Sequence, residues 1–347
     1  MNEQDNFFIK KNKVILPVNT NKYLLQLLSP TKVGTKYWSS PPSSEISRRQ
    51  LGRMLLQVHQ ILDLYKSLSI SLDNKSFIDI GTGNGMIPRL LLQLSGLSKA
   101  IGSDPFLDGE HSTSWQKHNH NQALLAITEF INSNFNNYLE FKNYNFLTEH
   151  ESFSFEPQNI DIIRTKEKYY KSVKLGIHNI NEINQKFDLI YCKAIEHISD
   201  WENAFASVSK IAKKDSFFYL KHRSFFSYLG SHRYASIGIP WGHLLLSENE
   251  YKSFVKKFHF DRATEMNKFY FNDLTYPRKS VSDMIKIANK YNFQLHGIKI
   301  EPPKYKDIVF NFTNDIENFW NIIDENFPKI SSEEVFSGIY HIIFKKA

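Results

Sequence analysis

Six residues within a short reach of the chain have the types and spacing to hold a ligand. Asp79 stands two positions before Gly81, and Gly81, Thr82, Gly83 and Gly85 follow in the run "DIGTGNGM". Asp104 comes 25 positions after Asp79. A glycine turn without Cβ atoms lets a ligand approach the backbone closely. The dinucleotide spacing G-x-G-x-x-G would require glycine at position 86, and Met86 is there instead. A carboxylate at Asp79 would repel a pyrophosphate and attract an ammonium group. A carboxylate at Asp104 can accept hydrogen bonds from a pair of ribose hydroxyls. Together the two acids point to a ligand with a ribose and a cationic amino-acid tail. A nicotinamide dinucleotide on a related fold is the alternative, with Met86 and Asp79 against it.

The elements around these residues read as strand, turn, helix, strand. Phe77–Ile80 is expected to be a strand ending in the glycine turn. Pro88 sits in the first turn of the next helix, where its missing N–H costs nothing. Ile87, Leu90, Leu91 and Leu94 have the spacing of that helix's buried stripe. The second strand is read as Ala100–Asp104, and a helix follows at about 115–131. A third strand is placed in "SVKLGIHNI", with "YLEFKNYNFL" as the other choice. The fourth is Phe187–Cys192, then a helix from Trp201 to Ala212 and a fifth strand, Ser216–His222. Upstream, Leu51, Met54, Leu55, Val58, Ile61, Leu62 and Tyr65 form one apolar helical face. Ser43 or Ser44 would cap that helix. Downstream, a helix 280–291, a strand 293–300, a helix 315–325 and a last strand 338–344 are expected. Strands alternating with helices imply an α/β fold with a mainly parallel sheet. Residues 1–40 read as an N-terminal arm and 41–347 as the main domain. Insertions are placed at about 135–170 and 223–278, the second a substrate lid.

Composition bounds the function class. Of 347 residues, 41% are hydrophobic and 23% charged, enough for a packed core and against wholesale disorder. The net charge of +7 comes from scattered basic residues and not from one basic face, so nucleic acid is not the expected partner. One cysteine, Cys192, allows no internal disulfide and fits a reducing compartment. No apolar run approaches the length of a membrane span. A cytoplasmic protein is the expectation.

"DIGTGNG" followed by "IGSDP" resembles the first motif and following acidic position of class I S-adenosylmethionine-dependent methyltransferases. "FDLIYCKAIEHISDWENAFASVSKIAKKDSFFYL" is similar to that family's fourth strand, acidic-histidine loop, helix and fifth strand, without the glycines that usually precede the fifth strand. The resemblance covers roughly residues 45–222 and is strongest to the small-molecule branch containing the quinone-biosynthesis enzymes. It implies a Rossmann-like sheet with an antiparallel C-terminal strand, helices on both faces and S-adenosyl-L-methionine as cofactor. It further implies that Gly81, Thr82, Gly83 and Gly85 line the cofactor's methionine and ribose. Asp79 would serve its amino end, Asp104 its ribose, Pro105 or Phe106 the adenine face, His178 or Asn179 the adenine edge, and Lys193 the sulfonium end.

Methyl transfer to oxygen needs alignment and the removal of a proton. His197, Glu196 and His222 fall on the rim beyond the strands' carboxyl ends, where ligands of such sheets bind. These three are the candidate catalytic residues. The stretch from His222 to Leu246 is rich in His, Arg, Tyr and Trp, groups that suit a small-molecule or glycan acceptor. The amino-methylating Asn/Asp-Pro-Pro-Tyr/Phe motif of nucleic-acid enzymes is absent, and Tyr191, not proline, precedes Cys192. Asp108, Glu110, His111, His118 and His120 have metal-ligand chemistry but no standard spacing, so no metal is expected. A non-catalytic protein that keeps the cofactor fold is the remaining alternative. Oligomeric state is not legible here.

Overall fold

A computed structural model of the chain describes residues 7–9, 15–17, 44–83, 85–105, 169–228, 230, 239–259, 263–268, 270–271, 278–303, 306–314, 316 and 318–347. The expected helix at 115–131, the Asp108–His120 cluster and nearly all of the 135–170 insertion lie outside these residues. Two short strands, β1 (Phe7–Ile9) and β2 (Ile15–Pro17), pair antiparallel within the N-terminal arm. The others are β3 (Ser76–Ile80), β4 (Lys99–Ser103), β5 (Tyr169–Val173), β6 (Phe187–Cys192), β7 (Ala212–His222), β8 (Phe293–Ile300) and β9 (Tyr340–Lys346). They form one mixed sheet in the order β5-β4-β3-β6-β7-β9-β8, mostly parallel with antiparallel C-terminal strands. This is the Rossmann-like arrangement expected.

The chain divides into two compact units. One comprises Ser40–Cys192, Ala206–Tyr219 and Phe344–Ala347. Its centre is β3, paired in parallel with β4 and β6, so that Asp79 lies opposite Gly102 on one side and Tyr191 on the other. Strands covered on both faces need continuous apolar runs. Phe77, Ile78, Ile101, Leu189 and Ile190 are accordingly buried. The helix Met86–Leu94 buries the four residues of its expected stripe. The helix Ser44–Ser67 buries Val58, Ile61 and Tyr65, with the Tyr65 ring edge-on to Tyr219 at 6.1 Å. Asp188 joins the starts of β3 and β6 to β7. It accepts bonds from Ser76 N (2.9 Å), Ser76 Oγ (2.6 Å) and Lys213 Nζ (2.7 Å). Burial would raise its pKa, but these bonds outweigh burial and hold the carboxyl below its ordinary range.

The other unit comprises Met1–Ser39, Lys193–Phe205 and Leu220–Ile343. Within the 223–278 segment, short helices Gly242–Leu245, Glu248–His259 and Ala263–Lys268 carry an aromatic cluster. Tyr251 stacks on Tyr270 at 4.3 Å, Trp241 meets Phe319 at 5.1 Å, and Trp241 Nε1 donates to the Val335 carbonyl (2.9 Å). The helix Val281–Lys290 starts from a capping box formed by Ser280 and Asp283.

Three expectations need correction. The third strand is Tyr169–Val173, and Ile177–Ile183 is a 3-10 helix. Gly176 separates the two, and Ile177 and Ile180, three apart, bury together as a 3-10 turn requires. The expected helix 315–325 is Phe319–Asn326, which begins from Asn318 in the left-handed region at φ 59°, and a helix that was not expected, Lys306–Asn314, precedes it. β7 starts at Ala212, four residues before the expected Ser216.

Candidate functional site

The glycine turn is tied to the strands on both sides of it. Gly81, Gly83 and Gly85 all adopt left-handed backbone, at φ 78°, 62° and 75°. Gly81 N and Thr82 N both donate to the Ser103 carbonyl, at 2.8 and 3.0 Å, which clamps the turn to the end of β4. Thr82 Oγ1 donates to Asp79 Oδ2 (2.7 Å), and Gly83 N donates to Asp104 Oδ2 (3.0 Å). Asp104 N in turn donates to the Val173 carbonyl at the end of β5 (3.2 Å). Two carboxylates, 1% and 7% exposed, therefore bracket one turn. The structure brings Asp79, Gly81, Thr82, Gly83, Gly85 and Asp104 together.

Sequence reasoning missed Tyr170. A Cβ on Gly85 would run into the Tyr170 hydroxyl. A Cβ on Gly102 would lie 2.8 Å from Thr82 Cγ2 and 3.0 Å from the same hydroxyl. Tyr170 Oη also pairs with Ser172 Oγ (2.7 Å), and the Arg89 guanidinium lies over its ring at 4.5 Å. The side of Gly85 where a Cβ would project is thus filled by protein. A signal existed, because glycine inside a buried strand marks a close approach, and Gly102 is such a residue. Pro105 lies exposed just past Asp104, and Asn179 lies exposed in the 3-10 helix. No hydrogen bond links either to the glycine turn among the described residues.

The second unit holds the other candidates. Lys193 follows β6 directly, and Glu196 and His197 sit in a 3-10 turn, Ile195–His197. Glu196 Oε2 is buried without a hydrogen-bond partner. Burial pushes its carboxyl up, against the opposing pull of His197, Arg223 and Lys193. His197 is part-buried. His222 closes β7 at 2% exposure, its ring edge-on to Trp201 at 5.7 Å. Neither ring nitrogen has a hydrogen-bond partner, and burial pushes the imidazole down to about 3. It is neutral at physiological pH and a weak proton acceptor.

Next to His222 lies a group that the sequence reading passed over. Lys221 is lowered to about 8, by burial first and then by Lys193 and Arg223, while Glu301 and Glu196 pull the other way. Glu301 is bonded to His341 Nε2 at 2.8 Å. Among the described residues no three His, Cys, Asp or Glu side chains are placed to hold a metal, and no helix is long and apolar enough to cross a membrane.

A family model described as a methyltransferase domain matches residues 49–269. No curated protein sequence matches. Solved structures that resemble the fold include an S-adenosylmethionine-dependent methyltransferase from Clostridium acetobutylicum, with 10% identity, coverage of 84% of this chain and 90% of that one, and a TM-score of 0.42. The magnesium protoporphyrin IX methyltransferase of Synechocystis gives 9% identity, coverages of 85% and 84%, and a TM-score of 0.39. Mycolic acid cyclopropane synthase gives 13%, 94% of each chain, and 0.41. Scores and identities this low say nothing about acceptor or mechanism. The family match spans the glycine turn, both bracketing acids and the rim after β6 and β7. Two buried carboxylates there suit an ammonium and a ribose and disfavour a pyrophosphate. The chain belongs to the methyltransferase-domain family, as a class I methyltransferase with S-adenosyl-L-methionine as its cofactor.

Proposed function

We propose that the protein methylates an oxygen of a small-molecule or saccharide-like acceptor. The cofactor, when bound, supplies a methyl carbon already activated by its sulfonium. In this reading Asp79 holds the amino end, the backbone of Gly81, Thr82, Gly83 and Gly85 lines the methionine and ribose, and Asp104 receives the ribose hydroxyls. Pro105 lies beside the adenine and Asn179 at its edge. Lys193 is better suited to an anion than to a sulfonium, since like charges repel. The observation that carries the choice of oxygen is the buried Oε2 of Glu196, without a hydrogen-bond partner on a carboxyl pushed up by burial. Such a group is a stronger base than an ordinary carboxylate and, with His197 beside it, can accept a hydroxyl proton. His222 then orients the rim through Trp201 and does not take the proton. The 223–278 segment supplies walls for the acceptor. The location in this reading is cytoplasmic, on the evidence of a single cysteine.

Calorimetry with S-adenosylmethionine, S-adenosylhomocysteine and NADH tests the cofactor roles. The two adenosyl ligands should bind and NADH should not. Asp104→Asn should weaken adenosylhomocysteine roughly 10- to 100-fold, the loss expected of a charge-assisted bond. Tight NADH binding, or an unchanged affinity in the variant, would overturn the assignment.

A further inference from the structure

Where the helix Lys306–Asn314 ends and the helix Phe319–Asn326 begins, the surface is hollowed into a cleft of about 310 Å³. That is the low end for ligand pockets, about 300–1,000 Å³, and suits one or two rings. Its lining takes in Thr313, Asn314, Asn318, Phe319, Trp320 and Asn321. Trp320 is 43% exposed. Phe319 and Phe336 nevertheless hold its ring edge-on, at 5.3 and 5.5 Å, with interplanar angles of 82° and 74°. Phe319 is itself buried against Trp241 at 5.1 Å. The core thus fixes an aromatic face at the surface, and stacking on it needs little further ordering. The polar groups beside this ring are mostly amides. Asn314, Asn318 and Asn321 are exposed. Asn321 Nδ2 donates to Asn318 Oδ1 at 3.4 Å, a long bond that engages one donor and one acceptor of the pair. Thr313 Oγ1 donates to the Phe310 carbonyl (2.7 Å), so its oxygen can serve a ligand only as an acceptor. No charged side chain lines the cleft among the described residues. An amide offers donors and an acceptor side by side, as a pair of hydroxyls does, whereas an ammonium only donates and a carboxylate only accepts.

We propose that this cleft binds a neutral sugar ring. A pyranose chair presents C–H groups on its face and hydroxyls around its edge. The face lies on Trp320, where the negative π surface and the loss of apolar area to water both favour it. The edge hydroxyls pair with the amides of Asn314, Asn318 and Asn321 and with Thr313. A charged ligand finds no opposite charge among the described lining residues. An extended peptide has matching donors and acceptors but no flat apolar face to set on the ring. No residue of the cofactor turn belongs to this lining, so the site is additional to the cofactor site and does not depend on the methyltransferase reading.

The test uses the full-length protein, titrated with the methyl pyranosides of glucose, galactose, mannose and N-acetylglucosamine. Glycerol, choline and triglycine are the controls. Binding is followed by calorimetry and by tryptophan emission. At least one pyranoside should bind and change the emission, and the controls should do neither. Trp320→Ala removes the stacked face and should weaken that sugar about tenfold or more. Trp320→Phe keeps a face, so it should retain most of the binding heat and lose the emission change. Asn321→Ala, at an exposed position, should weaken the sugar several-fold. It carries the test if circular dichroism shows that Trp320→Ala does not fold. Absence of binding by every pyranoside would overturn the proposal. So would sugar binding that all three variants leave unchanged, which would put the sugar elsewhere on the chain and leave the proposed acceptor class standing. Preferential binding of choline or of triglycine would overturn it in favour of a cation or a peptide.

Discussion

Gly85→Ala separates two reasons for a glycine in the cofactor turn. The backbone there is left-handed at φ 75°, which costs a non-glycine residue about 1–2 kcal/mol. The new Cβ would also collide with the Tyr170 hydroxyl. Tyr170 is not free to yield, because its hydroxyl pairs with Ser172 at 2.7 Å and its ring lies 4.5 Å from the Arg89 guanidinium. Overpacking of this kind costs about 1–3 kcal/mol. The variant should therefore lose about 2–5 kcal/mol in total. In a Tyr170→Phe background the colliding oxygen is gone and the ring carbon Cζ, 3.1 Å from the new Cβ, need give by only a few tenths of an ångström, so little beyond the backbone cost of about 1–2 kcal/mol remains. Tyr170→Phe alone removes an exposed hydrogen bond worth about 0.5–1.5 kcal/mol at most. Urea denaturation of the wild type, both single variants and the double variant, followed by circular dichroism, measures the coupling directly. A Gly85→Ala cost that is the same in both backgrounds would refute the packing argument. Adenosylhomocysteine affinity in the same four proteins adds a second reading. Because protein fills the Cβ side of Gly85, the double variant should recover adenosylhomocysteine affinity together with stability.

Two further predictions concern stability and pH. Asp188→Asn should cost about 1–3 kcal/mol at pH 7, because it weakens charge-assisted bonds to Ser76 and Lys213. The folded-state pKa of Asp188 is depressed, so its contribution is complete above the unfolded pKa of about 4 and is lost as pH falls through the folded value. The urea-midpoint gap between wild type and variant should accordingly shrink at pH 3, and a gap of constant size would contradict the assignment. His222→Phe keeps a ring against Trp201 and removes the titration. The wild-type imidazole, at about 3 folded and about 6.5 unfolded, makes stability fall as pH drops below about 6.5, since only the unfolded chain then binds the proton. At pH 5 the variant should gain about 2 kcal/mol relative to its standing at pH 7.5. His59 and His243, each pushed down to about 4 by burial, add the same slope to both proteins and cancel. Parallel pH profiles would show that His222 is not buried as a neutral ring.

The parts of the site that were legible are local in the chain. Asp79, the glycines and Asp104 belong to one strand-turn-helix-strand unit, and parallel pairing of β3 with β4 brings its two acids to the same turn. The rim was legible only in its contiguous pieces. Glu196 and His197 could be named from one loop, but Glu301 and His341 are 40 positions apart and meet only because Glu301 N donates to the Ile339 carbonyl and Gly338 N to the Glu301 carbonyl, each at 2.8 Å. No periodicity announces that pairing. The start of β5 was missed for a related reason. Tyr169–Val173 is exposed or part-buried throughout, at the edge of the sheet, and lacks the apolar run by which β3 and β6 are recognised. Missing β5 meant missing Tyr170, and with it the reason for Gly85 and Gly102. The glycine count in such a turn is then a poor guide to its ligand. Gly85 answers to a tyrosine as well as to its own φ, and Gly81 and Gly83 answer to backbone that bonds to Ser103 and Asp104. What discriminates a sulfonium cofactor from a dinucleotide is the pair of buried carboxylates, because charge at the turn decides which ligand end can approach it.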